Sequence, residues 1–334
     1  MVKEPLNISD FHGCFTVEYM SVRLRVSMVT TLVIIIGLST LFFTVALSLL
    51  GSFNLLTLAT FVVAFNIIQW LIAPYIIDAI YGVQEVTRSG KPELYDIVER
   101  LSQRSRINMP KVMIANIPIP NAFAYGSPLT GTRVAVTTGL LRTLETEEIE
   151  AVVGHELGHV KHNDVQVMMF VSVLPALLYY VGHSLYFSSR YGRNREKSTG
   201  AAALGSISML LYFVLTLLSL RFSRLREYYA DRHSVAVVDD GARKLSEGLA
   251  KIVTYTGQMS RFNDANAYSN FKALFIADPD TAEKDAVELG VVRGSDQKLV
   301  QRVLSSKVST FNSLVEIFST HPNIIKRLRA LHSL

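Results

Sequence analysis

This sequence of 334 residues is poor in charge and has almost no cysteine. Its one cysteine, Cys14, has no partner for an internal disulfide and no CxxC neighbour for a metal. An internal disulfide scaffold and a paired-thiolate metal site are therefore excluded. Only 18% of the residues are charged, where about 25% is usual in soluble domains. The formal net charge of +5 is modest, and the basic residues form no single stripe. No nucleic-acid partner is expected, and anionic lipid is the better use of that charge.

The longest absence is at residues 26–77, which contain no Asp, Glu, Lys, Arg or His. One membrane span takes ~20 residues, so this run has room for two. "LLGSFNLL" at 49–56 breaks it with Gly, Ser and Asn. Spans are expected at 27–50 and 54–77, with Trp70 and Tyr75 near one interface. The first run exceeds the roughly 7–15 apolar residues of a cleaved signal, so it reads as an uncleaved anchor. Two further runs, 165–187 and 199–220, also lack Asp, Glu, Lys and Arg. Each is long enough to span, which gives about four membrane helices.

The charge flanking these runs pulls in two directions. Arg23 and Arg25 favour a cytoplasmic N-terminus. Four crossings then return the soluble parts to the cytoplasmic side, but they place Arg190, Arg193, Arg195 and Lys197 outside, against the positive-inside tendency. A shallow hairpin at 165–220 that does not cross removes the conflict.

The organisation expected from these runs has five parts. A juxtamembrane segment (1–25) leads into two spans (26–77). The first half of a soluble domain (78–164) precedes a membrane or membrane-inserted hairpin (165–220), and the second half follows (221–334). In the first half, "PELYDIVERLSQRSRI" at 92–107 has helical spacing. "KVMIANI", "NAFAYG" and "TRVAVTTGLL" read as short strands broken by Pro and Gly. Thr146 ahead of Glu147 and Glu148 reads as an N-cap. After 221 the pattern is mostly helical, and 278–298 is the most loop-like stretch.

The helix that Thr146 opens carries "VVGHELGHVKHND", residues 152–164. Residues four apart share a helix face, so His155 and His159 can present two nitrogens to one cation. Glu156 then stands on the cation's free side, placed to take a proton from water. Zinc suits such donors and keeps one position for water, whose pKa it lowers. A catalytic zinc usually has three protein ligands. The HExxHxxGxxH pattern fails, because His162 and Val165 stand where Gly and His would be. His162 points about 60° away on a helix of ~3.6 residues per turn, and reads as a surface or interface residue. "RLREYYADRHS" offers a carboxylate instead: Glu227 as third ligand, with Asp231 four residues on to orient a ligand histidine, although an isolated pair at this spacing more often marks a solvated helix face. Val165 starts one apolar run six residues after His159, and Leu220 ends the next run seven residues before Glu227. At ~1.5 Å per residue both sit roughly 10 Å from the same membrane face.

"VVGHELGHVKHND", "SRLREYYADRHS" and "FSTHPNIIKRLRAL" together resemble the HtpX-type membrane-bound zinc metalloproteases, relatives of the CAAX prenyl endopeptidase. "MPKVMIANIPIPNAFAYGS" and "LFIADP" are similar to segments of the same family. The resemblance implies an α+β, helix-dominated, zincin-like domain with a small β-sheet, anchored in the cell membrane by about four helices. It implies one Zn²⁺ per chain on His155, His159 and Glu227, with Glu156 as general base and Asp231 behind the ligands. His321 matches a family histidine near the active site, and either donates to the oxyanion or caps the helix after Pro322. Arg327 matches a family arginine for which structural pairing is expected. Asn121, Ala122, Phe123 and Ala124 match an edge strand to which an extended peptide can add, although Ala122 and Phe123 by themselves suit a buried strand. The activity implied is endoproteolysis of unfolded or membrane proteins at the cytoplasmic face, in quality control. Processing of prenylated C-termini and a non-catalytic scaffold with a structural metal are the alternatives.

Overall fold

The computed structural model describes residues 55–164, part of 166–186, 195–260, 300, 301, 304 and 316–334. The expected first span, the loop-like stretch at 278–298, and Arg190 and Arg193 lie outside the described residues. The described residues are dominated by helices around one small mixed sheet, as expected.

Helix α1 (Leu55–Tyr81) covers residues 55–77 of the expected second span and leads to β1 (Val83–Glu85). Then come α2 (Pro92–Ser105), β2 (Lys111–Ala115), β3 (Ala122–Ser127), β4 (Gly131–Thr137) and the short α3 (Thr138–Thr143). Helix α4 (Thr146–Lys161) carries the His-Glu-x-x-His motif. Helices α5 (Arg195–Val237), α6 (Gly241–Ser260) and α7 (Ile324–His332) follow.

The sheet order is β1-β2-β4-β3, with β2 and β4 parallel and the other pairs antiparallel. Side chains alternate across it with the strand period of two. Val112, Ala122, Val134 and Val136 face a core shared with Leu101 of α2, Val152 of α4, Leu249 of α6 and Leu328 of α7. Met113, Phe123, Tyr125 and Ala135 face the other way, against Tyr81 and Ile77 at the foot of α1. A fully buried side chain of this size contributes roughly 1.5–3 kcal/mol, so both faces of the sheet are held. Asp78 ends the apolar run of α1, accepts from the Tyr125 hydroxyl at 2.7 Å and pairs with Arg133. These bonds fasten the apolar helix to β3 and β4.

Helix α4 starts one residue earlier than the sequence suggests. Its N-cap is Glu145, not Thr146, because Glu145 and Glu148 form a reciprocal capping box, with the Glu145 N–H donating to Glu148 Oε2 at 2.9 Å. The helix is buried along 151–159, and its glycines let it lie directly on α5. A Cβ on Gly158 would sit 3.0 Å from both Ala230 Cα and His233 Cβ. That close approach brings the histidines of α4 to the carboxylates of α5.

Helix α5 runs 43 residues without a break, from the apolar stretch into "RLREYYADRHS". The position expected to separate the apolar hairpin from the second soluble half, 220, lies within this helix. Among the described residues one helix, Gly200–Val237, is long and apolar enough to cross a membrane, and Trp70–Tyr81 is a shorter apolar stretch.

Candidate metal centre

Helices α4 and α5 bring the three expected donors together. His155 Nε2 lies 3.2 Å from His159 Nε2. Glu227 reaches both, with Oε2 at 3.5 Å from His155 Nε2 and Oε1 at 3.5 Å from His159 Nε2. Donors ~2.0–2.1 Å from a tetrahedral zinc stand roughly 3.3 Å apart, so this triangle matches the ion's donor spacing. Two facing ring nitrogens beside a carboxylate oxygen that has no hydrogen-bond partner are stable neighbours when all three donate to a cation.

The outer ring nitrogens meet carboxylates. Asp231 Oδ1 is 2.9 Å from His155 Nδ1, somewhat off the hydrogen-bond axis, and Asp164 Oδ2 is 2.6 Å from His159 Nδ1. Each carboxylate favours an Nδ1–H tautomer and leaves Nε2 with a lone pair. Asp231 in turn is gripped by Arg327, whose Nε and Nη2 donate at 2.9 and 2.5 Å while Nη1 stands 3.3 Å from Glu227 Oε2. This is the structural pairing expected of that arginine, and the guanidinium is buried to 1% exposure.

Asp164 joins the cluster although it lies outside the spacing of the His-Glu-x-x-His motif. Helix α4 ends at His162, and Asn163 takes a left-handed turn, φ 54°. That turn swings Asp164 back under His159. Burial raises the Asp164 carboxyl, but His159 and Arg226 outweigh it and hold the group below its ordinary range. Arg226 Nε sits 3.0 Å away. Asp164→Ala is expected to weaken metal binding by about 10–100-fold. Competition against a chromogenic chelator measures this, and unchanged affinity would remove Asp164 from the site.

Glu156 lies in a cleft of ≈ 270 Å³ with His155, His159 and Glu227, lined also by Ala122–Gly126 of β3, Trp70 and His321. It is 3% exposed. Burial raises its carboxyl above the ordinary range, against the pull of both histidines and a main-chain hydrogen bond from Ala124. His321 faces the same cleft, its Nδ1 3.3 Å from Glu227 Oε2. It does not cap α7, because Asn323 does so through Oδ1, which accepts from Ile325 N–H at 3.0 Å. His162 closes the end of α4, its ring edge-on to Tyr229 with centroids 5.0 Å apart.

Strand β3 is an edge of the sheet. Asn121 itself is committed to β4: its carbonyl accepts from Thr137 N–H at 2.9 Å and its N–H donates to Thr137 Oγ1 at 2.9 Å. Ala122, Phe123 and Ala124 line the cleft. So does Trp70, which the sequence placed at a membrane interface; its indole N–H donates to the Gly126 carbonyl at 3.2 Å.

The model of peptidase family M48 matches residues 88–334, three quarters of the chain and every residue of this cluster. The chain belongs to peptidase family M48. This M48 enzyme is a metalloprotease, a hydrolase of peptide bonds whose substrates are polypeptides. Its relatives include proteins named protease HtpX homolog. That of Thermoplasma acidophilum is 39% identical over 287 residues, 84% of this chain and 86% of that protein. That of Aeropyrum pernix is 38% identical over 83% of this chain and 85% of that protein. Protease HtpX homolog 2 of Sulfurisphaera tokodaii is 35% identical over 93% and 97%. The fold is similar to the crystal structure of Ste24p from S. mikatae, with TM-score 0.51 and 18% identity, covering 93% of this chain and 67% of that one.

Proposed function

We propose that this M48 peptidase is a zinc-dependent endopeptidase of the cell membrane that cuts unfolded or membrane proteins in quality control. The observation that carries the chemistry is the triangle of His155, His159 and Glu227, 3.2–3.5 Å on a side, beside the free edge of β3. These three residues would hold one Zn²⁺ per chain. When bound, zinc supplies Lewis acidity to the peptide carbonyl and to water.

The chain's own residues do the rest. An extended segment adds to β3 through main-chain hydrogen bonds, which recognise a backbone and tolerate its sequence. Such recognition suits unfolded substrates. The carboxylate of Glu156 takes a proton from the attacking water and passes it to the leaving amine. His321 donates a ring N–H to the oxyanion that develops on the carbonyl. Asp231 and Asp164 keep both ligand histidines turned towards the centre, and Arg327 balances the buried carboxylates.

The membrane reading rests on apolar surface. Ile68, Ile72 and Ile76 recur every fourth residue on α1, and each is about half exposed. Leu210, Phe213 and Ile207 of α5 are exposed likewise. Water does not favour such rows, and a bilayer does. About four helices at 26–77 and 165–220 would anchor the chain, with the catalytic halves 78–164 and 221–334 meeting on the cytoplasmic side. His159 and Glu227 then stand at one level above the lipid.

Purified in detergent, the protein is expected to digest unfolded casein, to stop when a chelator strips the metal, and to resume on addition of zinc. Digestion that survives removal of the metal would contradict the proposal.

A further inference from the structure

The free edge of β3 is shorter than the strand. A β-strand turns successive main-chain groups to opposite sides. Asn121 bonds Thr137, and the register pairs Phe123 with Ala135 and Tyr125 with Arg133. Asn121, Phe123 and Tyr125 therefore face β4, and Ala122, Ala124 and Gly126 face outward. Two contacts agree with this parity: Ala124 bonds the Glu156 carboxylate, and Gly126 accepts from Trp70.

The third outward position is thus already taken by α1. Gly126 has φ 154°, and a Cβ there would fall 2.3 Å from the Gly131 carbonyl oxygen, so this position tolerates no side chain. Its carbonyl is held at 3.2 Å by the Trp70 indole. Behind Trp70, Ala73, Pro74 and Ile77 of the same helix line the cleft. The foot of α1 cannot swing away freely, because Asp78 is tied to Tyr125 and Arg133. A tryptophan serving only as an interfacial anchor would offer its N–H to lipid headgroups, whereas this N–H is spent on the strand.

We propose that Trp70 is a register stop: it occupies the next rung of the β3 edge and ends any substrate ladder at Ala124. The inference rests on the reading of β3 as the strand to which substrate adds. In an antiparallel addition the N-terminal side of the peptide runs towards Gly126. Main-chain recognition on that side therefore ends at the residue opposite Ala124, and the substrate leaves the strand beside α1. The scissile bond is set at a fixed distance from that exit, which makes Trp70 a specificity-determining residue.

The test uses the full-length protein in detergent and one cleaved peptide, grown a residue at a time on the N-terminal side of its scissile bond. Each backbone amide is also N-methylated in turn, and kcat/KM is measured. For the wild type, kcat/KM is expected to rise until the peptide reaches the residue opposite Ala124 and then stay flat. N-methylation at the last rung should cost about fivefold or more, the scale of one main-chain hydrogen bond, and should cost nothing two residues further out. In Trp70→Ala the rise should continue for two more residues, one strand period, and N-methylation there should become costly. Metal content at the wild-type level reports that the variant is folded. A wild-type rise that continues past the expected stop would overturn the proposal, as would an unchanged profile in folded Trp70→Ala. If Trp70→Ala does not fold, the wild-type series decides alone. An N-methyl scan that is flat at every position would instead remove β-addition itself, and the stop with it.

Discussion

Glu156→Gln should lose about 10²–10⁴-fold in kcat, the contribution of a positioned general base, while keeping its metal. Glutamine has nearly the shape of glutamate and can still accept the hydrogen bond from Ala124. The cleft wall and the three donors on α4 and α5 are left in place. What disappears is the group that accepts the proton of water. Burial raises the Glu156 carboxyl above its ordinary range, against the pull of His155 and His159. Single-turnover cleavage of a quenched peptide, with metal content measured on the same sample, separates the two effects. Retained cleavage would place the base elsewhere. Loss of metal would mean that Glu156 helps to hold it.

The second large effect is on stability. Arg327→Met should cost about 3–5 kcal/mol, as expected when one partner of a buried ion pair is removed. The guanidinium is 1% exposed and makes two bonds to Asp231 while standing 3.3 Å from Glu227. Without it Asp231 is a buried carboxylate that, among the described residues, pairs with His155. The loss should be greater in metal-stripped protein, because among the described residues Arg327 is the Arg or Lys that pairs with Glu227. The midpoint of thermal inactivation reads the effect in both forms. The double variant Arg327→Met with Asp231→Asn should recover part of it, because the uncompensated charge is gone. Equal stability of Arg327→Met and the wild type would show that the buried pair is not what holds α7 to α5.

Much of this arrangement is legible in the sequence because it is local. His155 and His159 share a face through helical spacing alone, as do Glu227 and Asp231. The strands at 111–115, 122–127 and 131–137 follow from short β-rich stretches between Pro and Gly. The parts that sequence did not give are tertiary or depend on a single backbone angle. Asp164 reaches His159 only because Asn163 turns left-handed at the end of α4. Trp70 meets Gly126 across 56 residues, and no pattern near either one announces the bond. The cap moved from Thr146 to Glu145 because Glu148 reaches back to the main chain, a reciprocal bond that outcompetes a lone threonine hydroxyl. The change of composition at 220 leaves no mark on the backbone, because α5 is one helix from 195 to 237.

Donors from two helices separated in sequence by a long apolar stretch would together hold one metal ion. Counting zinc ions per chain in purified wild type and in Glu227→Ala decides whether they do. One zinc in the wild type and essentially none in Glu227→Ala is the result expected from the triangle of His155, His159 and Glu227. A full zinc complement in Glu227→Ala would contradict it, and would assign the third donor to another residue.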